Sequence, residues 1–249
     1  MKLRMRNEPV HPARSRGTRW SPRLRSGRTG LLVVLLAGLA HAQDVKVEEV
    51  KVQPAVREDS GQAWSAIGGR TLAPGDNLLE ASLGYPAISG SYLRGVSPGI
   101  NVGGRLGFVY GVEGMFREPA PGFKLQGIVK FRLVDSGKVS LAVAIEPGLL
   151  YYGSFLQGAR VGLTLPVGLR LGIAASSAIA VAVLVELPMW VEFGQFGGFN
   201  LPILTGGGVE YFITSQLAAF VRARIGPTIR TLRPTEVTFD GSVGIAYRF

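Results

Sequence analysis

The stretch Val237-Thr-Phe-Asp-Gly-Ser-Val-Gly-Ile-Ala-Tyr-Arg-Phe249 decides the fold. Val237, Phe239, Val243, Ile245, Tyr247 and Phe249 fall on one parity, and Thr238, Asp240, Ser242 and Arg248 fall on the other. Successive side chains of a strand point to opposite faces, so this alternation describes a strand whose two faces meet different solvents. The pattern recurs upstream. Turn chemistry at Tyr85-Pro86, Ser97-Pro98-Gly99, Pro119 to Gly122, Asp135-Ser136-Gly137, Gly153-Ser154, Ala175 to Ser177, Gly194 to Gly198, Thr214-Ser215 and Arg233-Pro234 separates ten predicted strands. They span 77–84, 87–95, 99–113, 122–134, 138–152, 157–173, 178–193, 199–212, 216–230 and 236–249. Eight strands is the alternative if Leu78 to Arg94 does not complete a hairpin.

Charge obeys the alternation. Arg105, Glu113, Lys124, Lys130, Arg132, Glu146, Arg160, Arg170, Glu186, Glu192, Glu210, Arg222, Arg224, Arg230, Asp240 and Arg248 all lie on one parity of strands three to ten, and Glu80 extends the set to strand one. The opposite parity reads Val161, Leu163, Leu165, Val167, Leu169 and Leu171 in one strand and Ile179, Val181, Val183, Val185, Leu187 and Met189 in the next. In lipid every backbone N–H and C=O needs a partner within the sheet, which forbids an open edge and requires closure. The fold class expected is therefore all-β, a closed antiparallel transmembrane β-barrel with an apolar outside and a charged lumen. A soluble β-sandwich also alternates, but its strands usually run about 5 to 6 residues, shorter than these. A strand needs roughly 9 to 11 residues to cross a bilayer at a tilt.

With this alternation and its terminal aromatic, the chain resembles the small outer-membrane β-barrel proteins of Gram-negative bacteria over residues 77–249. That resemblance implies that Val243, Ile245, Tyr247 and Phe249 form a signal read by the barrel-assembly machinery, and that the carboxyl terminus faces the periplasm. Counting back, the outer loops are then all short, leaving little room for a receptor or adhesin site. Tyr85, Tyr110, Phe131, Tyr151, Phe193, Tyr211, Tyr247 and Phe249 sit on the lipid parity near strand ends, as interfacial girdles do.

The first forty-two residues set both the address and the net charge. Nine of the 27 Lys and Arg residues precede Gln43, against the single acid Glu8. Without that leader the net charge falls from +10 to +2, so the basicity is no nucleic-acid footprint. Leu31 to Ala40 is an apolar core followed by Ala40-His41-Ala42, a small-x-small pattern that places signal cleavage between Ala42 and Gln43. Residues 43–76 are charged and polar at first (Val45-Lys46-Val47, Arg57-Glu58-Asp59-Ser60-Gly61) and end in a Pro74-Gly75-Asp76 turn. They are expected to be a flexible periplasmic tail or linker that could touch a periplasmic partner; the alternatives are an extra strand or a segment inside the barrel mouth, with Trp64 to Leu72 packing locally.

Both histidines, His11 and His41, lie in the leader, and the chain contains no Cys. A Ser-His pair cannot be built from the remainder, and zinc draws mostly on His and Cys, so neither a metal nor a cofactor is expected. A carboxylate enzyme would need Glu186 or Glu192 to meet Glu146 or Glu210, whereas pairing of these acids with Arg160 and Arg170 is the simpler expectation. Gly206-Gly207-Gly208 lacks the Lys-Ser or Lys-Thr of a phosphate loop and is expected to supply curvature and small lumen side chains. The function expected is an envelope-associated barrel with a charged, largely filled lumen. The alternative is a narrow channel in which the surplus of Arg and Lys favours anions.

Overall fold

A computed structural model describes residues 62–110, 121–154, 158–193, 197–231 and 234–249, all within one unit that begins at Val56. Twelve strand segments form a single antiparallel sheet: β1 Asn77–Tyr85, β2 Ala87–Ser97, β3 Ile100–Val109, β4 Gly122–Asp135, β5 Val139–Ile145, β6 Gly148–Ser154, β7 Gly158–Ala174, β8 Ile179–Phe193, β9 Gly198–Pro202, β10 Leu204–Phe212, β11 Leu217–Arg230 and β12 Glu236–Arg248. Each hairpin pairs with its neighbour, and the first strand closes on the last from Leu78 opposite Arg248 to Tyr85 opposite Gly241. The result is a barrel with no free edge.

Segments β5 and β6 are one stave, as are β9 and β10, so the barrel has ten strands. The stave predicted over 138–152 divides because Pro147 has no N–H for the ladder. The chain bridges the gap through Glu146 N–H to the Pro166 carbonyl and Gly127 N–H to the Pro147 carbonyl, both at 2.8 Å. The stave predicted over 199–212 divides at Ile203, whose N–H reaches the Pro227 carbonyl at 2.9 Å. Strand three stops at Val109; its predicted continuation to Glu113 lies outside the described residues. The hairpin of β1 and β2 is complete, which decides for ten strands over eight.

The turns at the end of the barrel that carries the carboxyl terminus are tight. Gly99 and Gly137 adopt φ of +93° and +76°, a region that costs an L-residue with a Cβ and that glycine enters freely. On the outside, the uncharged parity of the third to tenth staves is exposed or half-exposed, with Leu125 at 60% and Ile245 at 57%, and β2 adds one charge, Arg94, exposed near the carboxyl-terminal rim. Inside, the side chains toward the carboxyl-terminal end form an apolar cluster containing Leu78, Leu93, Ile128, Leu184, Phe212 and Phe220.

Trp64, Ala66, Ile67 and Leu72 belong to that same cluster, which corrects the tail expected over 43–76. Residues 62–72 run inside the barrel; of the three alternatives weighed for the segment, they take the barrel mouth. Their physical reason is burial of apolar surface that a periplasmic tail would leave in water. The rest of the expected tail, 43–61, the leader and the Ala42-Gln43 cleavage point lie outside the described residues.

Candidate functional site

The lumen is built in three layers. At the carboxyl-terminal end residues 62–72 form a plug. Trp64 is 1% exposed, its ring meets Phe212 edge-on at 5.3 Å, and its Nε1–H donates to the Ser215 carbonyl at 2.9 Å. Gln62 Nε2 donates to the Ser176 carbonyl at 2.6 Å, and the Arg70 guanidinium donates to the carbonyls of Gln62 and Gly137. The plug is therefore tied to three of the turns that ring this end.

Two buried charges on the wall hold the plug's backbone. Glu210 accepts from the Ser65 hydroxyl at 2.5 Å and from Ala66 N–H at 2.7 Å. Lys130, 1% exposed, donates to the carbonyls of Ser65 at 3.1 Å and Arg70 at 2.7 Å. Leu72 N–H donates to Asn101 Oδ1 at 3.0 Å. A buried charge without partners is costly, and here segment 62–72 supplies them.

The wall is hollowed to admit the plug. A Cβ on Gly172 would lie 3.0 Å from Gly69 N, and one on Gly208 would lie 2.7 Å from Ile67 Cδ1. Gly208 thus has a second role beside curvature, since its missing side chain is the space Ile67 occupies. Sequence reasoning missed the plug, although a signal existed. Ala180, Ala182, Gly206, Gly208, Ala218 and Ala246 share the inward parity near one end, and a lumen lined by such small residues needs filling from elsewhere.

The middle layer is an ionic belt. Arg105 pairs with Glu146 at 2.5 Å, Arg170 bridges Glu146 at 2.7 Å and Glu186 at 3.7 Å, and Arg224 joins Glu186 to Asp240, the latter at 2.8 Å. Arg160 pairs with Glu192 at 2.9 Å toward the opposite end. Glu146 and Glu186 therefore face a shared arginine instead of each other, and Glu210 is occupied by the plug; the acids are arranged as counter-ions. Arg132–Asp135, Arg230–Glu236 and Arg248–Asp76 pair nearer the strand ends. Glu80 accepts from the Ser91 hydroxyl at 3.2 Å. Every charged residue expected in the lumen is buried or half-buried, except Glu113, which lies outside the described residues. No three His, Cys, Asp or Glu side chains come together as a metal site among the described residues.

The belt itself forms part of the wall of a cavity of about 130 Å³, through Arg105, Glu146, Glu186, Arg224 and Asp240. Lys124, Arg222, Trp190 and the inward prolines Pro166, Pro188 and Pro202 line it. Tyr85 also lines it and is half-buried, which corrects its place in the expected aromatic girdle. The other girdle aromatics are exposed on the outer face.

These features define a closed ten-stranded antiparallel β-barrel with an apolar exterior, an ionic lumen and an internal plug. No family model and no curated protein sequence matches the chain. Among solved structures it is similar to the N-terminal β-barrel domain of Pseudomonas aeruginosa OprF, at 10% identity over 72% of this chain and 100% of that one, with a TM-score of 0.33. It is also similar to a loop L8 deletion mutant of OmpT, an outer membrane protein of Vibrio cholerae, at 13% identity and a TM-score of 0.36. That match covers 72% of this chain and 61% of the OmpT chain.

Proposed function

We propose that the protein is a bacterial outer-membrane β-barrel that holds its own lumen shut with residues 62–72 and serves the envelope as a closed barrel. The apolar belt around an edgeless sheet supports the membrane placement, because water would leave that whole surface unpartnered. The plug carries the closed state: Trp64 and Ile67 are each 1% exposed in the middle of the carboxyl-terminal end of the lumen. With that end toward the periplasm, the plug enters from the periplasmic side. Residues 62–72 are committed to the lumen, so a periplasmic partner recruited through the N-terminal region meets residues 43–61. Val243, Ile245, Tyr247 and Phe249 lie exposed on the outer face, where the barrel-assembly machinery can reach them.

Single-channel recording in planar bilayers tests this. The refolded chain from Gln43 is expected to give no discrete steps, and the chain from Pro74 is expected to conduct. Steady conductance from the longer chain, equal to that of the shorter one, would overturn the closed state. A second reading, an anion-preferring conduit once the plug departs, is favoured by Arg222, which lines the cavity with no carboxylate within ion-pair distance among the described residues.

A further inference from the structure

One arginine beside the belt keeps open donors. Arg105, Arg170 and Arg224 are matched by Glu146, Glu186 and Asp240. Arg222, which is 9% exposed, makes no direct ion pair among the described residues, and its countercharges Glu80 and Asp240 act on it from a longer range. Its Nε–H donates to the Ser242 hydroxyl at 2.9 Å, and its guanidinium carbon lies 5.9 Å from the Phe220 ring. Neither terminal nitrogen has a hydrogen-bond partner among the described residues, and the side chain forms part of the cavity wall. Glu80, held by Ser91, is the first of its countercharges but is not on that wall, whose carboxylates Glu146, Glu186 and Asp240 belong to the belt. A buried guanidinium with open donors is costly unless something accepts from it.

The remaining walls indicate what that something is. Lys124 stands 5.6 Å from the flat Trp190 indole, and the cavity wall holds four cations, Arg105, Lys124, Arg222 and Arg224, against the three carboxylates Glu146, Glu186 and Asp240. Pro166, Pro188 and Pro202 offer apolar surface with no N–H to satisfy. A water needs roughly 10 to 15 Å³ of such volume, so about 130 Å³ holds a molecule of roughly ten non-hydrogen atoms. Small-molecule sites combine this kind of apolar lining with a few placed polar groups. We infer that the cavity is a binding site for a small organic monoanion with a flat apolar body, its carboxylate-like group received by the terminal nitrogens of Arg222 and its body laid between Trp190 and the inward prolines. A planar two-oxygen anion matches the fork of a guanidinium. The site stands whether or not the barrel conducts.

Titration calorimetry of the refolded chain from Gln43 in detergent micelles, corrected against empty micelles, tests this with three ring probes of equal shape: benzoate, neutral benzamide and cationic benzamidine. Benzoate is expected to bind at least tenfold more tightly than either analogue, and Arg222→Gln is expected to erase that preference. Gly107 provides a variant that leaves every charge in place. It lines the cavity, and a Cβ there meets only ordinary contacts, the nearest at 3.8 Å. Gly107→Leu is expected to weaken benzoate at least tenfold by occupying the space. Equal binding of benzoate and benzamide by the native barrel would overturn the site without recourse to any variant. So would an anion preference that survives Arg222→Gln in a barrel of native heat-modifiable mobility.

Discussion

Trp64 stands edge-on to Phe212 with ring centroids 5.3 Å apart and an interplanar angle of 82°, a contact between residues 148 positions apart in the chain. An edge-to-face pair adds to the burial of both rings. The ladder that closes the barrel involves neither indole nor phenyl. Trp64→Ala is therefore expected to free the plug while leaving the barrel assembled, at a cost of about 3 to 5 kcal/mol to plug docking. Because the chain has no Cys, Ala66→Cys is a clean reporter of the docked state. Ala66 is 3% exposed, so maleimide should label that cysteine slowly in the otherwise native barrel and fast once Trp64 is removed.

Glu210 gives a polar counterpart. Its two oxygens satisfy the Ser65 hydroxyl and the Ala66 N–H, and Glu210→Ala would leave both buried donors without that acceptor. Each unsatisfied group costs about 1 to 3 kcal/mol. The variant is expected to accelerate maleimide labelling of Ala66→Cys, and deleting residues 62–72 should make Glu210→Ala no worse than neutral for barrel unfolding in urea. A loss of barrel stability in the truncated chain would show that Glu210 serves the wall and not the plug.

Gly172 separates the plug from the wall by shape alone. A Cβ there would lie 3.0 Å from Gly69 N and 2.8 Å from Ser140 Oγ. Gly172→Val keeps the backbone ladder to Ser140 and Ala182 and is expected to overpack the contact by about 1 to 3 kcal/mol. Bilayer recordings should then show intermittent steps in a barrel whose heat-modifiable mobility is unchanged. A silent barrel would mean that the ionic belt closes the lumen without the plug.

The alternating staves were legible because the sequence writes both solvents into a period of two, and β7, β8, β11 and β12 begin and end within a residue of the predicted spans 157–173, 178–193, 216–230 and 236–249. The interruptions at Pro147 and Ile203 were not legible. Ser140, Ala142, Ala144, Leu150 and Tyr152 stay on the inward parity across the first break, and Asn200, Pro202, Leu204 and Glu210 do so across the second, so the pattern reads straight through. The inward charges were equally plain, since Arg170 and Glu146 announce a lumen simply by avoiding the outer face. Which arginine meets which acid was hidden, because pairing depends on register between staves. The plug was hidden for a further reason. Trp64-Ser-Ala-Ile-Gly-Gly-Arg70 has no period of two or 3.6, and its partners, Glu210 and Lys130, lie 145 and 65 residues away from Ser65.

Arg170 tests the belt. It reaches Glu146 at 2.7 Å and Glu186 at 3.7 Å with its side chain 5% exposed. Removing one member of a buried ionic group leaves the others uncompensated, and Arg170→Met is expected to cost about 3 to 5 kcal/mol in urea unfolding. Adding Glu146→Gln should recover part of that loss, since it returns the belt to two arginines and two carboxylates while the amide oxygen still accepts from Arg105. A double variant as unstable as the sum of the singles would mean that Arg170 and Glu146 are not energetically coupled.

The outer face offers the sharpest separation of a membrane barrel from a soluble one. Val221 is 49% exposed and pairs with Val209 on one side and Val243 on the other, away from both rims, whereas Tyr247 is 46% exposed one residue from the end of β12. In water the two positions are alike, and an arginine at either would cost almost nothing. In a bilayer the cost depends on depth: about 2 to 4 kcal/mol for Arg at the midplane and about 0 to 1 near the interface. Val221→Arg is therefore expected to destabilise the barrel in lipid vesicles by several times as much as Tyr247→Arg, read from urea unfolding of the refolded chains. Equal and small effects at both positions would place the barrel's exposed face in water and remove the membrane from its function.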